Sequence, residues 1–170
     1  LCLGLDVSGS MAGTLVCGTP GLSAREACAA MAMVTAKVEK DAHFIAFDTK
    51  DYALALSPKQ RLDDIVNVLA RTGGGGTDCA LPMLWAANNK VPVDTFVIYT
   101  DSQTWSGDTH PIQSLNQYRD KTGIDATLVI VAMATNKFSL GDFEDRRVLN
   151  VIGFDTNTPA IIAQFVSGDL

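Results

Sequence analysis

The chain has 170 residues, 47% hydrophobic and 19% charged, with 13 Lys and Arg against 19 Asp and Glu and a net charge of −6. That length suits one domain able to bury roughly two-thirds of its unfolded surface. The acidic balance argues against its gripping a phosphate backbone by itself, because such affinity comes from Lys and Arg displacing counterions. No apolar run approaches the ~20 residues of a membrane crossing, and no signal peptide is visible.

LCLGL (1–5) is a short apolar run of the kind found in strands covered on both faces. In SAREACAAMAMVTAKVEK the period becomes helical: Ala27, Met31, Val34 and Val38 recur on one face, and Ser23 with Glu26 forms a capping box. HFIAF (43–47) and YALAL (52–56) are joined by residues 48–51 alone, too short a link for a crossover, which predicts an antiparallel hairpin. Leu62, Ile65, Val66 and Leu69 stripe the next helix, with Ser57 and Gln60 as its cap and Pro58 in its first turn. A third helix is expected from near Pro82 through Trp85 to about Asn89, ahead of Pro92.

TFVIY (95–99) and ATLVIVAM (126–133) are further buried strands, and a weaker one spans 149–153. Pro111 opens a helix, with His110 as a local cap or a solvent-facing group, and Pro159 opens the last one behind Thr158. Ile161, Ile162, Phe165 and Val166 should face inward there. This order predicts an α/β fold: an open, mostly parallel doubly wound sheet with one antiparallel edge strand and helices on both faces. One domain fills 1–170, and a chain that starts inside a strand without a methionine reads as a domain cut from a larger protein.

The four cysteines, Cys2, Cys17, Cys28 and Cys79, have no C-x-x-C or zinc spacing. They read as small hydrophobes in a reducing compartment. His43 begins a strand and has no acidic or thiol neighbour at ligand spacing, and neither it nor His110 reads as catalytic.

In open α/β sheets ligands bind outside the carboxyl ends of the strands. LCLGLDVSGS delivers Asp6, Ser8 and Ser10 there, and TFVIYTD delivers Asp101. Between them RTGGGGTDC lets the backbone pass close to something and presents Thr77. Two carboxylates and three hydroxyls form an oxygen-only set, which suits a hard cation such as Mg²⁺, or Mn²⁺ in its place. Such an ion would stay electrophilic and accept a carboxylate or phosphate oxygen from a protein or RNA partner at its open position. Asp78 reads as a backbone acceptor or supporting partner of this site, and Trp105 either frames it or packs on its own domain.

D-x-S-x-S at a strand end, a later glycine-flanked Thr and a T-D closing another strand resemble the metal-ion-dependent adhesion site of von Willebrand factor A domains, at Asp6, Ser8, Ser10, Thr77 and Asp101. GGTDCALPMLWA, FVIYTDSQTWSGDTHP and GFDT bring the likeness closer, to the C-terminal A domain of Ro ribonucleoproteins of the TROVE family. The resemblance implies a cytoplasmic, non-catalytic module with those five residues as metal ligands. It also implies a parent protein in RNA quality control, whose ring of helical repeats, absent from this chain, binds Y RNA and misfolded non-coding RNA. LVCGTPGLS after Met11 has no clear counterpart in that family.

Two other readings compete. An extracellular adhesion A domain would use the same site for a protein carboxylate, but the chain has only Cys2 near its termini and so no terminal disulfide pair. A phosphoryl-transfer enzyme passing through an aspartyl phosphate would carry a second acid two residues after Asp6, where Ser8 stands, and G-x-S-x-G and Walker motifs are absent.

Overall fold

The computed structural model describes residues 1–17, 19–101, 107–134 and 145–168. Strands β1 (Cys2–Asp6), β2 (His43–Phe47), β3 (Asp51–Leu54), β4 (Thr95–Thr100), β5 (Thr127–Ala132) and β6 (Val148–Ile152) form one sheet in the order β3-β2-β1-β4-β5-β6. Every neighbouring pair is parallel except the edge hairpin of β2 and β3. The helices are α1 (Ala24–Val38), α2 (Leu62–Arg71), α3 (Leu81–Asn89), α4 (Pro111–Thr122) and α5 (Thr158–Ser167), with a 3₁₀ turn over Gly9–Ala12.

Alternation along each strand sends side chains to two separate cores. Leu3, Leu5, Val97 and Tyr99 pack with Cys28 and Ala32 of α1, Leu69 of α2 and Ile162 of α5. On the opposite face Cys2, Ile45, Phe96 and Ile98 pack with Met83 of α3 and Leu115 and Tyr118 of α4. Gly4 explains the one gap in the first apolar run: a Cβ there would lie 2.5 Å from Ile98 Cδ1 and 2.7 Å from Pro82 Cγ. The start of α3 therefore rests directly on the backbone of β1.

Three local expectations are corrected. The buried face of α1 is Ala24, Ala27, Cys28, Ala32 and Thr35, whereas Val34 is 46% and Val38 68% exposed. Small residues let the helix approach the sheet closely, and the larger ones turn outward. Helix α2 begins at Leu62, because residues 57–60 close a turn of their own in which the Ser57 N–H donates to Gln60 Oε1 at 2.7 Å. Its first turn is served by Asp64, which accepts from the Arg61 N–H at 3.2 Å.

At α5, Thr158 lies inside the helix, and Asp155 Oδ1 accepts from the N–H groups of Asn157 (2.8 Å) and Thr158 (3.2 Å). Ile162 is buried as expected, while Ile161 and Val166 face solvent. The capping box at Ser23 and Glu26 and the cap at His110, whose Nδ1 accepts from the Ile112 N–H at 3.2 Å, agree with the sequence reading. All four cysteines are free; Cys2, Cys28 and Cys79 are buried and Cys17 is exposed. Among the described residues no helix is long and apolar enough to cross a membrane.

Candidate metal centre

The chain leaves β1 toward β2 on one side and β4 toward β5 on the other, so the winding reverses between β1 and β4. A crevice opens at such a reversal, outside the carboxyl ends of the strands. Asp6 ends β1 and Asp101 follows β4, so both carboxylates flank that point. They are buried, at 1% and 6% exposure.

Register decides how Asp6 is held. Leu5 pairs with Tyr99, which sets Asp6 level with Thr100. The Thr100 hydroxyl donates to Asp6 Oδ2 at 2.6 Å, and the Ser8 N–H donates to Oδ1 at 2.8 Å. Burial pushes the Asp6 carboxyl up from 3.8 to about 6; the Asp101 charge adds to the rise, and the bonds from Thr100 and Ser8 oppose it. Among the described residues, Asp101 Oδ1 is buried and has no hydrogen-bond partner. A carboxylate oxygen left without a donor in such a place is costly, so it calls for a cation or a proton.

The two serines arrive together. Ser8 is buried, Ser10 is exposed, and their Oγ atoms lie 3.3 Å apart. The 3₁₀ turn that follows fixes them, with the Met11 N–H on the Ser8 carbonyl at 3.2 Å and the Met11 side chain fully buried. The glycine loop carrying Thr77 is tied to the serine loop by the Gly9 N–H, which donates to the Gly75 carbonyl at 3.2 Å. The structure thus brings the segments of Asp6, Ser8, Ser10, Thr77 and Asp101 to one edge. Trp105 lies outside the described residues.

Asp48 belongs to this site and escaped the sequence reading. It follows β2 as Asp101 follows β4, in HFIAFD, and is 4% exposed. Its Oδ2 accepts from the Gly75 N–H at 3.0 Å, its Oδ1 from the Lys50 N–H at 2.8 Å and the Tyr52 hydroxyl at 3.3 Å, and its carbonyl from the Asp78 N–H at 2.9 Å. Burial pushes the Asp48 carboxyl up, but the bonds from Gly75, Lys50, Thr49 and Tyr52 prevail and hold it below the usual value. Its carboxylate is a clamp for the loop, and the signal that could have revealed it is the apolar run ending in Asp.

Asp78 accepts from the Ala80 N–H at 3.1 Å, as a backbone acceptor beside the site. Partial burial, reinforced by Asp108, raises its carboxyl above the usual value. Among the described residues no three carboxylate, imidazole or thiol groups converge. A cation here would be held by two carboxylates, with hydroxyls and water completing the shell.

The family model described as "Ro60 vWA domain" matches residues 1–166. The chain is 40% identical over 168 residues to an RNA-binding protein RO60 of Deinococcus radiodurans, covering 99% of this chain and 32% of that protein. It is 37% identical over 170 residues to an RNA-binding protein RO60 of Caenorhabditis elegans, of which it covers 26%. It thus spans about a third or less of these relatives. The crystal structure of the Deinococcus Ro protein superposes with a TM-score of 0.91 over 99% of this chain and 34% of that one. At 12% identity, mussel proximal thread matrix protein 1 shares only the fold, with a TM-score of 0.61 over 97% of this chain and 45% of that one. By the family model and these relatives, the chain belongs to the von Willebrand factor A domains of the Ro60 family.

Proposed function

We propose that this is a non-catalytic A domain that holds one Mg²⁺, or Mn²⁺ in its place, at a metal-ion-dependent adhesion site, and uses the open position to dock an anionic group. Ser8, Ser10 and Thr77 supply hydroxyl oxygens, and Asp6 and Asp101 bind directly or through water. The observation that carries this reading is Asp101 Oδ1, buried and without a donor beside a second buried carboxylate. A divalent ion removes both penalties together, since it neutralises two charges that burial disfavours. The bound ion supplies an electrophilic vertex; the protein's part is to hold the oxygens in place and exclude bulk water from the carboxylates.

The domain serves a larger cytoplasmic RNA-binding protein engaged in RNA quality control. That reading is supported by relatives named RNA-binding proteins of which this chain covers a third or less. Small non-coding RNA, such as Y RNA or misfolded transcripts, is bound mainly by the remainder, since the −6 charge of this domain opposes a phosphate backbone. Ser8 stands where an aspartyl-phosphate enzyme carries a second acid, and the sequence has no G-x-S-x-G or Walker motif, which favours binding over catalysis.

Isothermal titration with Mg²⁺ and Mn²⁺ tests the metal. One site per chain is expected, abolished or weakened at least about tenfold in Asp101→Ala. Absence of binding to the wild-type chain, or unchanged binding in the variant, overturns the reading.

A further inference from the structure

A pocket lies at the edge of the sheet opposite the candidate metal centre, where the ends of α3 and α4 lead into β4 and β5. It measures about 530 Å³, within the usual range of ligand pockets. Val91, Pro92 and Ile124 give it an aliphatic lining, and Lys90 and Lys121 are its only charged residues. One buried hydroxyl fixes its two walls to each other: Tyr118 of α4 donates to the Val91 carbonyl at 2.9 Å and accepts from the Val93 N–H at 2.6 Å. Thr122, which also lines it, donates its hydroxyl to the Tyr118 carbonyl at 2.8 Å and accepts from the Ile124 N–H at 3.2 Å.

Lys90 stands where glycine is the usual choice. It caps α3 in the left-handed region, at φ 55°, and is the one non-glycine residue with a positive φ among those described. Helices α4 and α5 put Gly123 and Gly168 in that conformation, where there is no Cβ to strain. A lysine within the last helical turn would answer the helix dipole without this strain, so the dipole does not account for Lys90. Neither Lys90 nor Lys121 joins an ion pair among the described residues, where every pair falls on Arg61, Arg119 or Arg147. Asp94, Asp120 and Asp125, the acids nearest them in sequence, do not line the pocket, and Asp125 is held by Arg147 at 2.6 Å.

We infer that this pocket docks a segment of a partner protein in which aliphatic side chains stand between carboxylates. The aliphatic groups bury against Val91, Pro92 and Ile124, and the carboxylates meet Lys90 and Lys121. Exposed ion pairs add little by themselves, so aliphatic burial supplies most of the affinity and the two ammonium groups select the segment. A nucleic-acid strand fits less well, since the lining has no aromatic ring for a base to stack on and only two cations for a run of phosphates. No metal takes part.

The test uses the 170-residue chain in EDTA and fluorescence anisotropy with four labelled probes. These are a peptide with two leucines between two glutamates, the same peptide with Gln for Glu, the same with Ser for Leu, and oligouridine RNA. The first is expected to bind at least about fivefold tighter than its Gln form and at least about tenfold tighter than its Ser form or the RNA, and to weaken as salt rises. Lys90→Gly should lower its affinity while raising the melting temperature by about 2–4 °C, because the left-handed backbone is relieved. With Lys121→Gln added, the Glu and Gln peptides should bind alike. No saturable binding of the Glu peptide up to about 1 mM, equal affinity for its Gln form in wild type, preference for oligouridine, or a Glu preference that survives the double variant overturns the inference. So does a Lys90→Gly chain that melts below wild type, since Lys90 would then serve the fold.

Discussion

Asp6 carries an electrostatic burden that can be measured without any ligand. Its carboxyl titrates at about 6 in the fold instead of 3.8, so folding in the absence of metal forces a charge into a place that resists it. The sign follows from linkage: between those values the folded protein binds the proton that the unfolded chain has released, so this group's contribution to stability falls as pH rises. Above about pH 6 the full penalty is present, on the order of 3 kcal/mol. In EDTA, Asp6→Asn should therefore raise the melting temperature at pH 7.5 by a few degrees, and the gap should close toward pH 4.5. Mg²⁺ should stabilise wild type more at pH 7.5 than at pH 5 and leave Asp6→Asn unmoved. A differential scanning series over that range checks both, and a variant less stable than wild type at every pH would contradict the first.

Gly4 makes a second residue-level case, unconnected with charge. Its missing Cβ is what lets Pro82 and Ile98 meet β1. Gly4→Ala should cost about 2–3 kcal/mol by overpacking, a drop of roughly 5–10 °C in melting temperature.

At the scale of elements, the strand ends are where sequence and structure correspond most closely. Apolar runs closing on Asp place Asp6, Asp48 and Asp101 at one edge because every parallel strand points the same way. The first and last were legible in LCLGLD and TFVIYTD; Asp48 offered the same signal in HFIAFD but was absorbed into a hairpin link. Its role depends on Gly75, 27 residues away, and no local pattern reports a bond of that span. Asp48→Ala should cost about 2–3 kcal/mol by leaving buried donors unmet. It should also weaken metal binding, because the loop of Thr77 loses its clamp; calorimetry and metal titration on one sample separate the two effects.

Helix α1 was misjudged for a different reason. Hydropathy favours Met31, Val34 and Val38, whereas close approach to a sheet selects Ala24, Cys28 and Ala32. The path of residues 13–17 was equally hidden, since it is fixed by distant partners: the Cys17 N–H on Met133 O at 2.8 Å and the Phe154 N–H on Cys17 O at 3.0 Å.

For the whole molecule, charge and length point the same way. The proposed role beside an RNA-binding body rests on the net charge of −6 and on a share of about a third or less of the length of relatives named RNA-binding proteins. The isolated chain should bind RNA weakly, with a shallow salt slope, and a Kd below about 1 µM at physiological salt would contradict that. The central claim is that three loops at one sheet edge hold a single divalent ion. A crystal of the chain grown with Mn²⁺ and measured for anomalous scattering tests it most directly. The account predicts one strong peak within coordination distance of Ser8, Ser10 and Thr77 oxygens, with Asp6 and Asp101 bound to it or one water away. A peak elsewhere, or density for solvent alone among those side chains, would contradict it.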